Sequence, residues 1–184
     1  MRFRIQPLKV EKEALEEAVK VLREAFHSEV QVLEELKLPS EAYNPRRGQY
    51  NASLVMNWLA SILPVSRESL IIGLCSSDAY VTGLNFIFGL ASPFLGICIV
   101  FTARLHQSFY GLPEDERIFR ERVRKEVLHE VGHLLGLEHC STPECVMRFS
   151  NSILDTDYKR DKYCMRCYEK MLSKGIKVDL KYVL

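Results

Sequence analysis

Residues 129–140 read His129-Glu130-Val131-Gly132-His133-Leu134-Leu135-Gly136-Leu137-Glu138-His139-Cys140. At roughly 100° per residue, His129 and His133 fall about 40° apart on one face of a helix. Two histidines one turn apart can aim ring nitrogens at a single ion about 2.0 to 2.1 Å away. Glu130 lies at the edge of the same face, within reach of a zinc-bound water without being a ligand itself. Gly136 lets the chain leave the helix through a backbone conformation closed to bulkier residues, so that His139 can swing back as a third ligand. Three nitrogens leave the fourth position of a tetrahedron open, the mark of a catalytic rather than a structural site.

The spacing HExxHxxGxxH is a motif of metal-assisted peptide hydrolysis. In that chemistry zinc lowers the pKa of its bound water to about 7, and Glu130 takes the proton and returns it to the leaving amine. Outward from the motif, residues 114–135 form the pattern of one long helix, with Pro113 before it and acidic residues in its first turn. Val127, Val131, Leu134 and Leu135 lie on the side away from the histidines, so one side of the helix is expected to meet a core and the other a cleft.

Upstream, residues 3–10 alternate as a strand and residues 11–26 recur at helical spacing through Leu15, Ala18, Val21, Leu22 and Ala25. Residues 30–36 alternate again, and residues 43–52 supply Pro45 and Gly48 as loop punctuation. A second helix is expected over residues 51–63 and is stopped by Pro64. Three runs rich in Ile, Val, Leu or Phe follow, over residues 69–75, 84–88 and 96–102. The order predicts an α/β (α+β) fold, a five-stranded mixed sheet with helices packed on it, and a short terminal helix over residues 164–172.

Four of the six cysteines, Cys140, Cys145, Cys164 and Cys167, fall in the last 45 residues with the spacing C-x4-C-x18-C-x2-C. Two such pairs can close a tetrahedron of thiolates about 2.3 Å from one zinc with no open position, which describes a structural site. Because residues 137–184 carry few large apolar side chains, much of their order is expected to come from that metal. The alternative is redox chemistry at Cys164-Met165-Arg166-Cys167, but a redox CxxC belongs near a βαβ unit and this one does not. Cys75 and Cys98 sit in apolar runs and read as small buried hydrophobes. Since Cys140 follows His139 directly, the two metal sites would share a backbone junction.

With 184 residues, 47% hydrophobic and 27% charged, the chain is one globular domain with enough length for a core, and its composition excludes disorder. A formal net charge of +1 and a pI near 7.6 give no broad basic surface. A zinc module using Arg46, Arg47, Lys159, Arg160, Lys162 and Arg166 to contact nucleic acid is therefore disfavoured, the more so with Asp155, Asp157 and Asp161 as neighbours. No apolar run approaches the length that spans a bilayer, and the N-terminal residues show no secretory pattern, so no membrane role and a cytoplasmic location are expected. Without secretion, the glycosylation pattern Asn51-Ala52-Ser53 carries no meaning.

HEVGHLLGLEHC followed by STPECVM and a later CMRC resembles the archaemetzincin family of metzincin metalloproteases. The likeness is tight over residues 129–167 and looser over the strand and helix order before them. It implies a metzincin-like fold, with residues 1–136 as an N-terminal subdomain carrying a twisted mixed sheet and the active-site helix, and residues 137–184 as a small C-terminal subdomain. By the same resemblance His129, His133 and His139 would bind catalytic zinc and Glu130 would be the general base and acid. Met147 would be the Met-turn residue beneath the metal, acting through packing alone. Cys140, Cys145, Cys164 and Cys167 would bind a second, structural zinc, giving two Zn2+ per chain. The 16 residues between Met147 and Cys164 are one fewer than the family pattern, a departure that bears on the loop and not on the ligands.

If the resemblance holds, residues 84–88 are the candidate edge strand for an extended peptide, and the substrate is a peptide or protein acted on by a monomer. The rival reading is a metzincin-fold zinc protein that binds a peptide or partner without efficient catalysis. No oxyanion-stabilising residue can be named, since spacing alone cannot aim Tyr158 or Tyr163.

Overall fold

The computed structural model describes residues 1–64 and 69–184. Among these residues, eight strands and five α-helices follow one another. They are β1 (Arg2–Leu8), α1 (Lys12–Phe26), β2 (Glu29–Val32), β3 (Tyr43–Asn44), β4 (Gln49–Asn51), α2 (Ala52–Ile62), β5 (Ser69–Cys75) and β6 (Ala79–Tyr80), then β7 (Gly89–Ser92), β8 (Ile97–Phe101), α3 (Glu116–Leu134), α4 (Ile153–Tyr158) and α5 (Met165–Leu172). The main sheet has five strands in the order β2-β1-β5-β8-β7, with β1, β2, β5 and β8 parallel and β7 antiparallel at the edge. A mixed α/β architecture with a five-stranded sheet is therefore present.

Alternation along the central strands splits their side chains between two cores. Ile72, Leu74, Cys98 and Val100 face α1 and α3, while Ile71, Cys75, Ile97, Ile99 and Phe101 face α2. Cys75 and Cys98 are fully buried, one in each core, as small apolar residues would be. Local chemistry sets the helix ends: the Asn51 side chain accepts from the backbone N–H groups of Ser53 and Leu54 at the start of α2, and the Asp115 side chain accepts from Ile118 N–H at the start of α3.

Several boundaries differ from the sequence reading. The second strand ends at Val32 rather than residue 36. A small three-stranded sheet, β3-β4-β6, occupies part of what read as loop. The edge strand is Gly89–Ser92, not residues 84–88; of that segment only Ile87 makes a bridge, to Ala79. Its apolar side chains line the cleft instead of entering the main sheet.

The C-terminal chain is more apolar in effect than its composition suggested. Leu137, Val146, Met147, Ile153, Tyr163, Met171, Val178 and Tyr182 are buried and belong to the same core as α1 and α3. Metal binding is thus not the sole source of order there. This packing also covers the polar side of α3, where Arg122, Lys125, Glu126, His129 and Glu130 are all buried. No helix among the described residues is long and apolar enough to cross a membrane.

Candidate metal centre and cleft

Helix α3 carries His129, Glu130 and His133 and ends where Gly136 adopts φ 84°. Gly136 N–H donates to His133 O and Leu137 N–H to Gly132 O, the paired bonds of a Schellman turn. That turn reverses the chain and returns His139 to the two helical histidines. Ligand atoms of His129, His133 and His139 all lie within 4.8 Å of one another.

The hydrogen bonds fix which nitrogens face inward. His129 Nδ1 donates to Val146 O at 2.8 Å and His133 Nδ1 to Leu137 O at 2.8 Å. A carbonyl can only accept, so both Nδ1 atoms carry the proton and both Nε2 atoms present a lone pair. Those two Nε2 atoms are 3.1 Å apart. Facing lone pairs at that distance repel unless a cation lies between them, and a tetrahedral ion with bonds of 2.0 to 2.1 Å places its ligands about 3.4 Å apart. Burial pushes the pKa of all three imidazoles down, keeping them in the neutral form that a metal requires. The donor set fits zinc.

The loop that follows supports this group from below. Met147 is fully buried, and a Cβ added at Gly132 would overlap its sulfur, so the glycine inside the motif makes room for the methionine under the helix. Val146, the residue before Met147, supplies the carbonyl that orients His129. Tyr163 is also buried there, with its hydroxyl donating to Leu128 O at 2.7 Å, and Tyr158 is 61% exposed.

Glu130 is buried, and an added Cβ at Gly89 would collide with its carboxylate. The edge strand therefore starts with a residue that has no side chain because the carboxylate occupies that space. Burial pushes the Glu130 carboxyl well above the usual range, nearby Glu126 pushes it further, and Lys159 opposes them. These groups open on a cleft of about 590 Å³, walled by residues 86–91 on one side and by Phe149, Ser150 and Asn151 on the other.

Immediately beyond His139, the four cysteines converge. Cys140 Sγ is 3.7 Å from Cys164 Sγ, and Cys145 Sγ is 3.8 Å from Cys167 Sγ. A tetrahedron with zinc–sulfur bonds near 2.3 Å has edges of about 3.8 Å, so these spacings suit one zinc. The surroundings favour thiolates. Cys164 N–H donates to Cys145 Sγ, and both Thr142 N–H and the Arg166 guanidinium donate to Cys140 Sγ. Hydrogen bonding with Cys167 holds the Cys145 thiol down to about 5, and the same shared proton drives Cys167 up.

Four of the six basic residues considered for nucleic acid have side-chain partners within the chain. Arg47 bonds Gln49 and Asn85 O, Lys159 is buried against Glu126, Arg160 pairs with Glu144, and Arg166 bonds Cys140.

A helix bearing two histidines and a glutamate, a returning third histidine and a buried methionine beneath them define a zinc metallopeptidase of metzincin type. Comparison with known proteins agrees. The profile of Peptidase family M54 matches residues 8–173. The archaemetzincin of Methanocaldococcus jannaschii is 39% identical over 98% of both chains, and that of Saccharolobus solfataricus is 43% identical over 88% of this chain and 87% of its own. Among solved structures, archaemetzincin from Archaeoglobus fulgidus, complexed with malonate, has a TM-score of 0.81 at 37% identity, covering 92% of this chain and 99% of its own. Archaemetzincin from Methanopyrus kandleri has a TM-score of 0.81 at 33% identity, with 95% of each chain covered. The chain belongs to the archaemetzincins, peptidase family M54.

Sequence reasoning missed Glu126, Val146 and Gly89, and considered Lys159 only as a basic residue for nucleic-acid contact. Only Gly89 left a trace, as a glycine beside an apolar run.

Proposed function

We propose that this archaemetzincin hydrolyses peptide bonds with Glu130 as general base and acid and with zinc held by His129, His133 and His139. A second, structural zinc is held by Cys140, Cys145, Cys164 and Cys167. When bound in the histidine group, zinc supplies Lewis acidity, making water a nucleophile near neutral pH and polarising the scissile carbonyl. The chain's own groups do the rest. Val146 O and Leu137 O hold the first two imidazoles in the ligating tautomer. Glu130, lodged against Gly89, takes a proton from the attacking water on its carboxylate and delivers it to the leaving nitrogen. An extended peptide or protein segment lies along β7, the antiparallel edge, with its scissile bond over Glu130. Met147 supports the histidines by packing. We assign residues 1–136 to the sheet and helix side of the cleft and residues 137–184 to the opposite side.

The observation that carries this reading is the pair of Nε2 lone pairs facing each other at 3.1 Å beside a buried carboxylate. Its test is zinc per chain, by elemental analysis, alongside hydrolysis of a peptide library. Wild type should hold two zincs, and His133→Ala one, with no turnover. Glu130→Ala should keep both zincs and lose 10² to 10⁴-fold in rate, on the order expected for a general base. Unaltered turnover in Glu130→Ala would remove that residue from the mechanism.

A further inference from the structure

Among the described residues, two buried side-chain polar atoms have no hydrogen-bond partner, Lys159 Nζ and Ser150 Oγ. Both residues line the cleft that contains His129, Glu130 and His133. Native proteins satisfy nearly all such atoms, so two orphans in one cleft point to a missing ligand. Lys159 Nζ does lie 2.9 Å from Glu126 Oε1, but without hydrogen-bond geometry, and its side chain is 0% exposed. The carboxylate offsets the charge of the ammonium while leaving its protons uncommitted.

The position is rigid. Glu126 Oε1 also accepts from Thr156 Oγ1 at 3.1 Å. Asp157, two residues before Lys159, takes two bonds of 2.7 Å from Arg122 on α3, and its carbonyl accepts from Lys125. Helix α4 is thus fastened to the helix that carries the histidines, which fixes the backbone from which Lys159 projects, and Thr156 holds the carboxylate that its ammonium faces.

Charge gives the ligand's sign. Lys159 and Glu126 cancel, three neutral imidazoles add nothing, and Glu130 contributes at most one negative charge against the two positive charges of zinc. A cleft loaded with metal therefore has a positive excess. Fixed donors in a buried site act most strongly on an oxygen that gains negative charge during reaction.

We propose that Lys159 Nζ and Ser150 Oγ are the donors that stabilise the oxyanion of the tetrahedral intermediate, which makes Lys159 a catalytic residue. This assignment rests on the peptidase reading above. As water adds to the carbonyl carbon, the C=O π pair moves onto oxygen, and that oxygen accepts from the ammonium and the hydroxyl. When the C–N bond breaks, the pair returns and the proton held by Glu130 goes to nitrogen. No further reactant is needed.

The test uses the zinc-loaded full chain and calorimetric binding of two probes. One is a phosphinic peptide with apolar flanks and an amidated C-terminus, whose anionic tetrahedral phosphorus replaces the scissile carbonyl. The other is the ordinary amide peptide of the same sequence, measured in a Glu130→Gln background. Lys159→Met should weaken the phosphinic peptide by about 30-fold and Ser150→Ala by about 5-fold, as expected for charged and neutral hydrogen bonds, while the amide peptide changes less than about 3-fold. Because Lys159→Met leaves Glu126 buried and unpaired, Glu126→Gln/Lys159→Met provides a second variant in which neither charge remains. Equal phosphinic affinity in these variants, or equal loss for both probes, overturns the assignment. So does a Lys159 dependence that appears only when the phosphinic peptide ends in a free carboxylate, which would make the donors a terminus-binding subsite. Zinc-loaded wild type that binds neither probe would overturn the peptidase mechanism and this inference together, whereas tight wild-type binding matched by the variants overturns this inference alone.

Discussion

The histidine group and the cysteine group are separated by one peptide bond, between His139 and Cys140, yet they are built in opposite ways. The histidines come chiefly from a long helix whose polar side is buried, and their donor count is incomplete for a tetrahedral ion. The cysteines come from loops and the start of α5, and their count is complete. Around the histidines, hydrogen bonds run from ring nitrogens to carbonyls and aim the free nitrogens at a cleft. Around the cysteines, N–H groups and a guanidinium run to the sulfurs and neutralise thiolate charge, so nothing is left for substrate. Rigid secondary structure suits the group that must meet a reactant. Loops suffice where the metal itself can fix the geometry.

That contrast can be broken most severely at the cysteines. Cys164→Ser should lower zinc from two per chain to one and destabilise the protein by several kcal/mol. This is less than the roughly 10 kcal/mol of a fully metal-dependent fold, because Met147, Tyr163 and Tyr182 remain in the core. Thermal unfolding with zinc analysis checks it, and two zincs with unchanged stability would rule out the four-thiolate site.

A smaller effect is expected where the loop supports the helix. Gly132→Ala forces a methyl against the Met147 sulfur and should cost about 1 to 3 kcal/mol in denaturant unfolding. A loss below about 0.5 kcal/mol would mean that Met147 is not packed tightly under the histidines.

The smallest expected effect lies outside both groups and acts as a control. His106 bonds Glu11 and Glu114 and stacks on Phe119. The Glu11 hydrogen bond, joined by Glu114 and opposed by partial burial, raises the His106 pKa. For Glu11, burial alone would raise the carboxyl, but the hydrogen bonds from His106 and Thr102 outweigh it and lower it. A raised histidine contributes fully below its unfolded value and loses that contribution as pH rises through the folded one; a lowered carboxyl loses its contribution as pH falls. The cluster should therefore stabilise most between the ordinary carboxylate and histidine values, about pH 4.5 to 6.5. His106→Gln should lose up to about 1 kcal/mol at pH 6 and less at pH 8.5. An equal loss at both values would show that the ring acts only through its stacking on Phe119.

The clustering of the three histidines and of the four cysteines was legible because it depends on spacing. Turns of a helix bring His129 and His133 together, Gly136 releases the chain, and the cysteine intervals announce two pairs. The fold was legible where strands are long and apolar, as in β1, β5 and β8. Edge strand β7 was misplaced because Gly-Leu-Ala-Ser is less apolar than the Asn-Phe-Ile-Phe run before it. Its first residue is chosen for a contact with Glu130, which lies 41 residues away. Helix α4 did leave a signal, since Ser152 and Asp155 form a capping box, but six residues are too few to show a helical period. The Lys159 and Glu126 pair left none. Two charged residues 33 positions apart look like surface until the chain between them is folded.

Residues 140–147 form one short loop, closed by Cys140 N–H donating to Met147 O at 2.9 Å. That loop bears two sulfurs of one group, the carbonyl that orients a nitrogen of the other, and the methionine beneath it. Any effect that occupancy of one group has on affinity at the other would pass through this loop, and by equilibrium linkage its factor would be the same in both directions. If both groups hold the zinc proposed above and loss of one ion loosens this loop, zinc would leave over a narrower range of free metal than two independent sites would give; a titration matching independent sites would show that the loop keeps its shape without either ion.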